Sequence, residues 1–356
     1  MTRQERTEGL ALPGVLTAAE AAATTAGILS LQREDGAIPW FRGHHLDPWD
    51  HVEAAMALDS AGEHERAAAA YEWLARHQNP DGSWYAAYAD GDAARPTDAG
   101  KETNFCAYVA VGVLHHYLAT GDDGFRQRMW PVVFAAVEFV LGLQQEGGQI
   151  GWRREADGTP VPEALLTGCS SVYQALRCAL ALAELAGDPQ PDWELAAGRL
   201  GHAIRHHPER FLDKSAYSMD WYYPVLGGAL RGRAARERLA ARWDEFVVPG
   251  RGVRCVLPRP WVTGGESAEL ALALWTVGLA PRAVEVLRWI GHLRADNGLY
   301  WTGYVTADDA FWPVELTSWT AGSVLLAVAA LTGHGPTQAV FGGDTLPKGL
   351  ETDCCA

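Results

Sequence analysis

The chain has 356 residues, of which 48% are hydrophobic and 21% charged, and a formal net charge of −15. That apolar content suffices for one large repeat-built core, while the negative field repels nucleic-acid phosphates and anionic lipid surfaces, so neither is expected as a partner. No apolar run reaches the roughly twenty residues needed to cross a bilayer, and Met1 to Val15 lacks the apolar centre of a secretory signal, which makes a cytoplasmic location the expectation.

Twelve segments show apolar residues at helical spacing, and the pattern predicts helices over 17–32, 48–61, 64–78, 102–120, 124–145, 167–186, 191–207, 219–231, 233–246, 266–278, 281–295 and 315–332. Thr17 stands where a side chain can cap the first, and Gly62, Gly121, Gly187, Gly232, Gly278 and Gly333 stand where a left-handed residue ends a helix. Strand signals are nearly absent. The even-numbered segments are rich in Ala, Leu and Val on all sides, as in Ala107 to Leu118, Ala175 to Leu185 and Ser323 to Leu331. A helix apolar all round is a buried one. The expected fold is therefore all-α, an (α/α)6 toroid of six helical hairpins with the even segments inside. It should form one domain over 1–336, followed by a poorly ordered tail, 337–356, that carries Cys354 and Cys355. The other cysteines, Cys106, Cys169, Cys178 and Cys255, form no CxxC pair and no metal-ligand spacing, so neither a metal site nor a disulfide is expected.

Parallel inner helices bring all six of their N-termini to one mouth, and the polar clusters of the chain fall at those N-termini. They begin with Asp47, Trp49, Asp50, His51 and Glu53, followed by Glu102 with Asn104, and by Gly168 to Ser171. The later three are Asp220 with Trp221, Tyr222 and Tyr223, then Glu266 with Glu269, and finally Trp312, Glu315 and Trp319. Capping accounts for any single acid, since a first-turn carboxylate gains about 0.3–1 kcal/mol from the helix dipole. Capping has no use for the neighbouring indoles and phenols; acids interleaved with aromatics on a concave rim describe a ligand pocket. Asp50, Glu102, Asp220, Glu266 and Glu315 are the candidate acids and bases. Trp49, His51, Asn104, Trp221, Tyr222, Asp309, Trp312 and Trp319 are the candidate substrate contacts.

Between the helix pairs, Gln78, Gly82 and Trp84 form the pattern Q-x3-G-x-W, and Gln32, Gly36 with Trp40 and Gln144, Gly148 with Trp152 are stretched versions; Gly298 with Trp301 is a fourth, with Arg294 in the glutamine position. The pattern resembles the QW motif of the squalene–hopene cyclase and protein prenyltransferase superfamily. That resemblance implies the toroid and a structural role for the loop residues. It carries over little chemistry, because Asp47-Pro48-Trp49-Asp50 places tryptophan where the DxDD acid of a class II cyclase would stand, and no zinc or DDxxD magnesium set is present. A second stretch, Glu102 to Tyr108 through Asp122 and then Met129-Trp130-Pro131, resembles six-hairpin glycosidases.

The leading expectation is thus a terpenoid cyclase-like or prenyltransferase-like enzyme acting on an isoprenoid or lipid-like small molecule by acid-assisted chemistry in the central cavity, without a cofactor. The alternative is a carbohydrate-active hydrolase or epimerase, in which tryptophans face sugar rings and two carboxylates serve as acid and base, Glu102 and Glu315 first among them. A non-catalytic scaffold ranks below both, since it gains nothing from acids gathered at one mouth. A partner protein is not indicated by any motif.

Overall fold

Burial sorts the helices into two circles. In a computed structural model that describes residues 10–343 and 345–350, the helices are α1 (Ala18–Leu31), α2 (Pro48–Ser60), α3 (His64–His77), α4 (Thr103–Ala107), α5 (Val109–Thr120), α6 (Asp123–Leu141), α7 (Leu166–Ala186), α8 (Pro191–His206), α9 (Ser218–Leu226), α10 (Gly232–Ala241), α11 (Trp243–Phe246), α12 (Gly264–Thr276), α13 (Ala280–Trp289) and α14 (Ser318–Thr332). Every residue of α14 from Ser318 to Ala330 is buried, whereas α10 buries Ala235 and Leu239 alone. The inner helices close a ring in which α2 packs on α5, α5 on α7, α7 on α9, α9 on α12, α12 on α14, and α14 back on α2. Outside, α3, α6, α8, α10, α13 and α1 back α2, α5, α7, α9, α12 and α14 respectively. This is the (α/α)6 toroid expected from the pattern of apolar helices.

The glutamine–glycine loops tie the outer circle together. The Gln32 side-chain amide donates to the Gly36 carbonyl at 3.0 Å and to Arg66 of α3 at 2.8 Å. Gln78 does the same to Gly82 and to Val132 of α6, both at 2.9 Å, and Gln144 to Gly148 and to Ala196 of α8, both at 3.0 Å. One side chain thus holds its own loop shut and satisfies a carbonyl on the next outer helix. Gly82 sits at φ +85°, and a Cβ there would run into the Ala135 carbonyl of α6. The loop needs glycine both for its handedness and for the closeness of its approach.

Three features differ from the expectation. The eighth helix stops at Leu226 before Gly227 and Gly228 rather than at Gly232, which instead opens α10. Strands do occur, in the loops that lead from outer to inner helices. They include a hairpin of Ala87–Ala89 with Asp92–Asp98 and a five-stranded sheet in the order Ala310–Phe311, Gly303–Val305, Trp261–Thr263, Gly252–Arg254 and Val247–Val248. All but Asp92–Asp98 are two or three residues long, too short to show a period-2 signal. The tail also packs rather than standing apart. Val340, Phe341 and Leu346 are buried, and Arg177 of α7 donates to the carbonyls of Gly343, Leu346 and Pro347. Thr337 meets Ser60 and His115 at the C-terminal ends of α2 and α5, each at 3.1 Å. Residues 337–343 and 345–350 therefore cross the end of the toroid opposite the mouth. Cys354 and Cys355 lie outside the described residues. Cys106, Cys169, Cys178 and Cys255 are free thiols, and no helix of the described residues is long and apolar enough to cross a membrane.

His51 belongs to this framework and not to the substrate contacts. It is fully buried in α2; its Nδ1 accepts the Ile38 N–H at 3.1 Å and its Nε2 meets the Ala70 carbonyl at 2.9 Å, which fixes the neutral tautomer with the proton on Nε2. Burial lowers its pKa to about 4.

Two predictions follow from these contacts. Gly82→Ala should lower stability by about 2–4 kcal/mol, from backbone strain plus the clash with α6; Gly121→Ala, whose Cβ has open space, should cost only about 1 kcal/mol. Thermal unfolding of the two variants checks the difference. For His51, the unfolded imidazole takes its proton near pH 6.5 and the folded one near 4, so the unfolded state binds more protons between those values and stability falls as pH drops through that window. The loss amounts to about 3 kcal/mol, and His51→Gln should flatten it in urea titrations at pH 7, 5.5 and 4.

Candidate active site at the mouth of the ring

The inner N-termini do converge. One cavity of about 450 Å³ is lined by Trp49 and Asp50 of α2, Glu102 and Phe105 at α4, Met219 of α9 and Trp319 of α14, together with Trp40, His45, Asp47, Asp98 and two alanines from the entry loops. A neighbouring hollow of about 480 Å³ shares His45, Ala87 and Asp98 and carries the mouth onward past His44 and Arg95 as a trough.

Capping explains few of the acids. Asp47 does cap α2, accepting the Asp50 N–H at 2.9 Å. Glu102 occupies the N-cap position of α4 without a side-chain capping bond, and Glu315 lies two residues ahead of Thr317, the residue that caps α14. Asp50 is half-buried in the cavity wall. Burial, followed by the carboxylates of Asp47, Glu53 and Glu269, holds its carboxyl well above the usual range. Burial also pushes Glu102 up to about 7, against the pull of Arg153. Two carboxylic acids that hold their protons more tightly than usual therefore share one aromatic-walled hollow.

Glu266 approaches from another side of the ring. It is 5% exposed, its Oε2 has no hydrogen-bond partner among the described residues, and burial raises its pKa. The preceding Gly265 lies under the Trp319 ring, where an added Cβ would collide, so Glu266 stands beside a cavity-lining indole. An unpaired buried carboxylate oxygen costs on the order of 1–3 kcal/mol or more, and such a group calls for an explanation.

Beneath the cavity lies a pair that the candidate set omits. Glu53 accepts from Tyr108 at 3.1 Å and Ser323 at 3.0 Å, while Glu269 accepts from Tyr223 at 2.8 Å and from Tyr222. Burial raises both carboxyls. Tyr222 is thus fully buried in this floor network and is not a direct substrate contact. The spacing of Asp50 to Glu53 and of Glu266 to Glu269, one helical turn each, is the signal that places both on the inward face.

Other candidates point elsewhere. On α9 the inward face carries Met219, Tyr222 and Tyr223, at helical spacing, so Asp220 and Trp221 turn outward. Asp220 accepts from Thr167 of α7 at 2.7 Å, and Trp221 stacks on Phe246 with centroids 5.3 Å apart while donating to the Arg238 carbonyl. Neither lines the cavity. Asn104 is buried at 5% exposure against Gly168, outside the lining. Asp309 accepts from Tyr304 in the hairpin turn after Gly303–Val305, and Trp312 is 55% exposed, edge-on to Trp261. Glu315 acts on an aromatic: its Oε2 accepts the Trp40 indole N–H at 3.0 Å. Trp40 then stacks on Trp319 at 5.5 Å and on His45 at 5.9 Å. Trp40 was expected to be purely structural. Its loop has four residues from glycine to tryptophan where the strict loop has two, and Trp84 of that strict loop is the buried one, donating to the Leu74 carbonyl at 2.9 Å.

Comparison with known proteins fits this geometry. No protein-family profile matches the chain. Among solved structures, a glycosidase in complex with glucose superposes with a TM-score of 0.70 at 16% identity, covering 94% of this chain and 100% of that one. A D-mannose isomerase gives 0.67 at 11% identity over 88% and 96%. A GH63 mannosylglycerate hydrolase from Thermus thermophilus gives 0.67 at 15% identity over 86% and 99%. At these identities the likeness is one of fold, the six-hairpin toroid of the glycosidases. The MMP endo-(1,4)-3-O-methyl-alpha-D-mannosidase of Mycolicibacterium hassiacum is 53% identical over 348 residues, 97% of this chain and 96% of that one. This overturns the terpenoid cyclase and prenyltransferase expectation: the QW-like loops report how a toroid is tied, not which reaction it hosts. The chain belongs to the family of the MMP endo-(1,4)-3-O-methyl-alpha-D-mannosidase.

Proposed function

We propose that the protein is an endo-acting glycoside hydrolase that cleaves α-(1,4)-linked 3-O-methyl-D-mannose chains in the mouth cavity. The observation that carries this reading is the cavity itself, where Asp50 and Glu102 share a wall with Trp40, Trp49 and Trp319. Stacked indoles offer flat apolar faces to sugar rings, and carboxyls supply the acid and base that glycoside cleavage requires. The trough that continues past His44 and Arg95 gives a polymer room on one side of the bond being cut, as internal cleavage needs.

Asp50 is assigned as the general acid. A proton donor must hold its proton more tightly than an ordinary carboxyl, and burial beside Asp47 and Glu53 raises the Asp50 carboxyl well above its usual range. The assigned base is Glu266, on α12. Between α12 and α2 stands α14, so the two carboxyls belong to different helices of the ring, and the buried Oε2 of Glu266 has no hydrogen-bond partner among the described residues to compete for a proton. Glu102 is a second reading, favoured by its place in the cavity lining and its pKa of about 7. Asp220, on the outward side of α9, is left out of the mechanism, and Glu315 becomes the residue that orients the Trp40 platform.

The test compares three isosteric variants on a 3-O-methylmannose oligosaccharide. Asp50→Asn and Glu266→Gln should each lower kcat by about two to four orders of magnitude with folding retained, and Glu102→Gln by about tenfold or less. A large loss in Glu102→Gln with near-normal turnover in Glu266→Gln would transfer the base to Glu102. Full activity of Asp50→Asn would remove the acid assignment.

A further inference from the structure

Three apolar side chains stand together in the lining of the cavity. Met219 and Tyr223 sit one turn apart on the inward face of α9, and Tyr223 packs edge-on against Trp49 with centroids 5.6 Å apart. Trp49 in turn meets Phe105 edge-on at 5.8 Å. Met219, Trp49 and Phe105 all line the cavity, beside Asp50, which follows Trp49 in α2, and Glu102, one turn before Phe105. The Trp49 indole N–H, the polar atom of those three side chains, is directed at Glu53 below it at 3.4 Å.

We propose that the Met219, Trp49 and Phe105 wall is the element that reads the methyl ether of the substrate, with Met219 as its specificity-determining contact. This rests on the reading of the cavity as a 3-O-methylmannosidase site. A free hydroxyl pressed against these three side chains gives up a water hydrogen bond and gains none from them. An O-methyl group has no proton to donate and gains contact with thioether and ring carbons, which a flexible, polarizable methionine follows closely. Burying a single methyl distinguishes substrates by about 10-fold to 200-fold in kcat/KM, so the wall alone suffices for a clear preference.

The experiment measures kcat/KM on two α-(1,4)-linked mannose oligosaccharides of equal length, one 3-O-methylated and one unmethylated. The wild-type protein should favour the methylated chain by at least about tenfold. Met219→Gln, close in volume but able to pair with a hydroxyl, should cut that ratio by about tenfold, while Met219→Leu should keep it. Circular dichroism confirms that each variant folds. A ratio unchanged in Met219→Gln overturns the assignment of the wall. A wild-type protein that cleaves neither oligosaccharide overturns the substrate reading instead, so the two failures are told apart.

Discussion

Closure of the inner ring is the constraint on which the rest depends. Gly322 of α14 lies against Ala54 of α2, where even an added Cβ would crowd the backbone, and this close pair joins the last inner helix to the first. With an outer helix returning the chain after each inner one, the six inner helices run the same way. N-terminal residues of α2, α4, α9 and α14 line one cavity, while Ser60, His115 and Arg177, farther along their helices, meet Thr337 and Pro347 of the tail. The partial positive charges of several helix starts therefore gather at a single mouth, where they favour the carboxylates found there.

The same packing that makes the core sets the proton affinities of the site. Apolar surroundings disfavour the charged form of Asp50, Glu102, Glu266, Glu53 and Glu269 alike, and the nearness of several carboxyls to one another adds to the effect. In a more open mouth the Asp50 carboxyl would hold its proton less tightly. At the other end, Arg177 and Thr337 anchor the tail to the inner helices. Aromatic order is imposed separately, with Glu315 fixing Trp40 and Trp40 stacking on Trp319.

Much of the fold was legible in the sequence because helical spacing is a local signal repeated twelve times. The inner and outer assignment followed from which helices were apolar all round, and the ring closed in that order. The site was less legible, for a geometric reason. On α9, neighbouring residues point to different sides, so Asp220 and Trp221 face outward while Met219 and Tyr223 face in; a cluster in sequence is split by the helix. His51 looked like a contact because it stood among acids, yet its partners, Ile38 and Ala70, are backbone groups invisible in composition. Glu53 and Glu269 lay within the clusters and were passed over, although their one-turn spacing from Asp50 and Glu266 was already readable. The reaction class was misread because the QW-like loops are structural ties, and a tie says nothing of what the ring encloses.

The most direct measurement is a crystal structure of an inactive Asp50→Asn variant soaked with a 3-O-methylmannose oligosaccharide. Sugar rings should lie in the cavity between Trp40, Trp319 and Trp49, with a glycosidic oxygen within hydrogen-bond reach of residue 50. An oligosaccharide bound instead in the outer groove beside Phe211 and Lys214, with the mouth empty, would contradict the claim that the converging helix starts form the reaction centre.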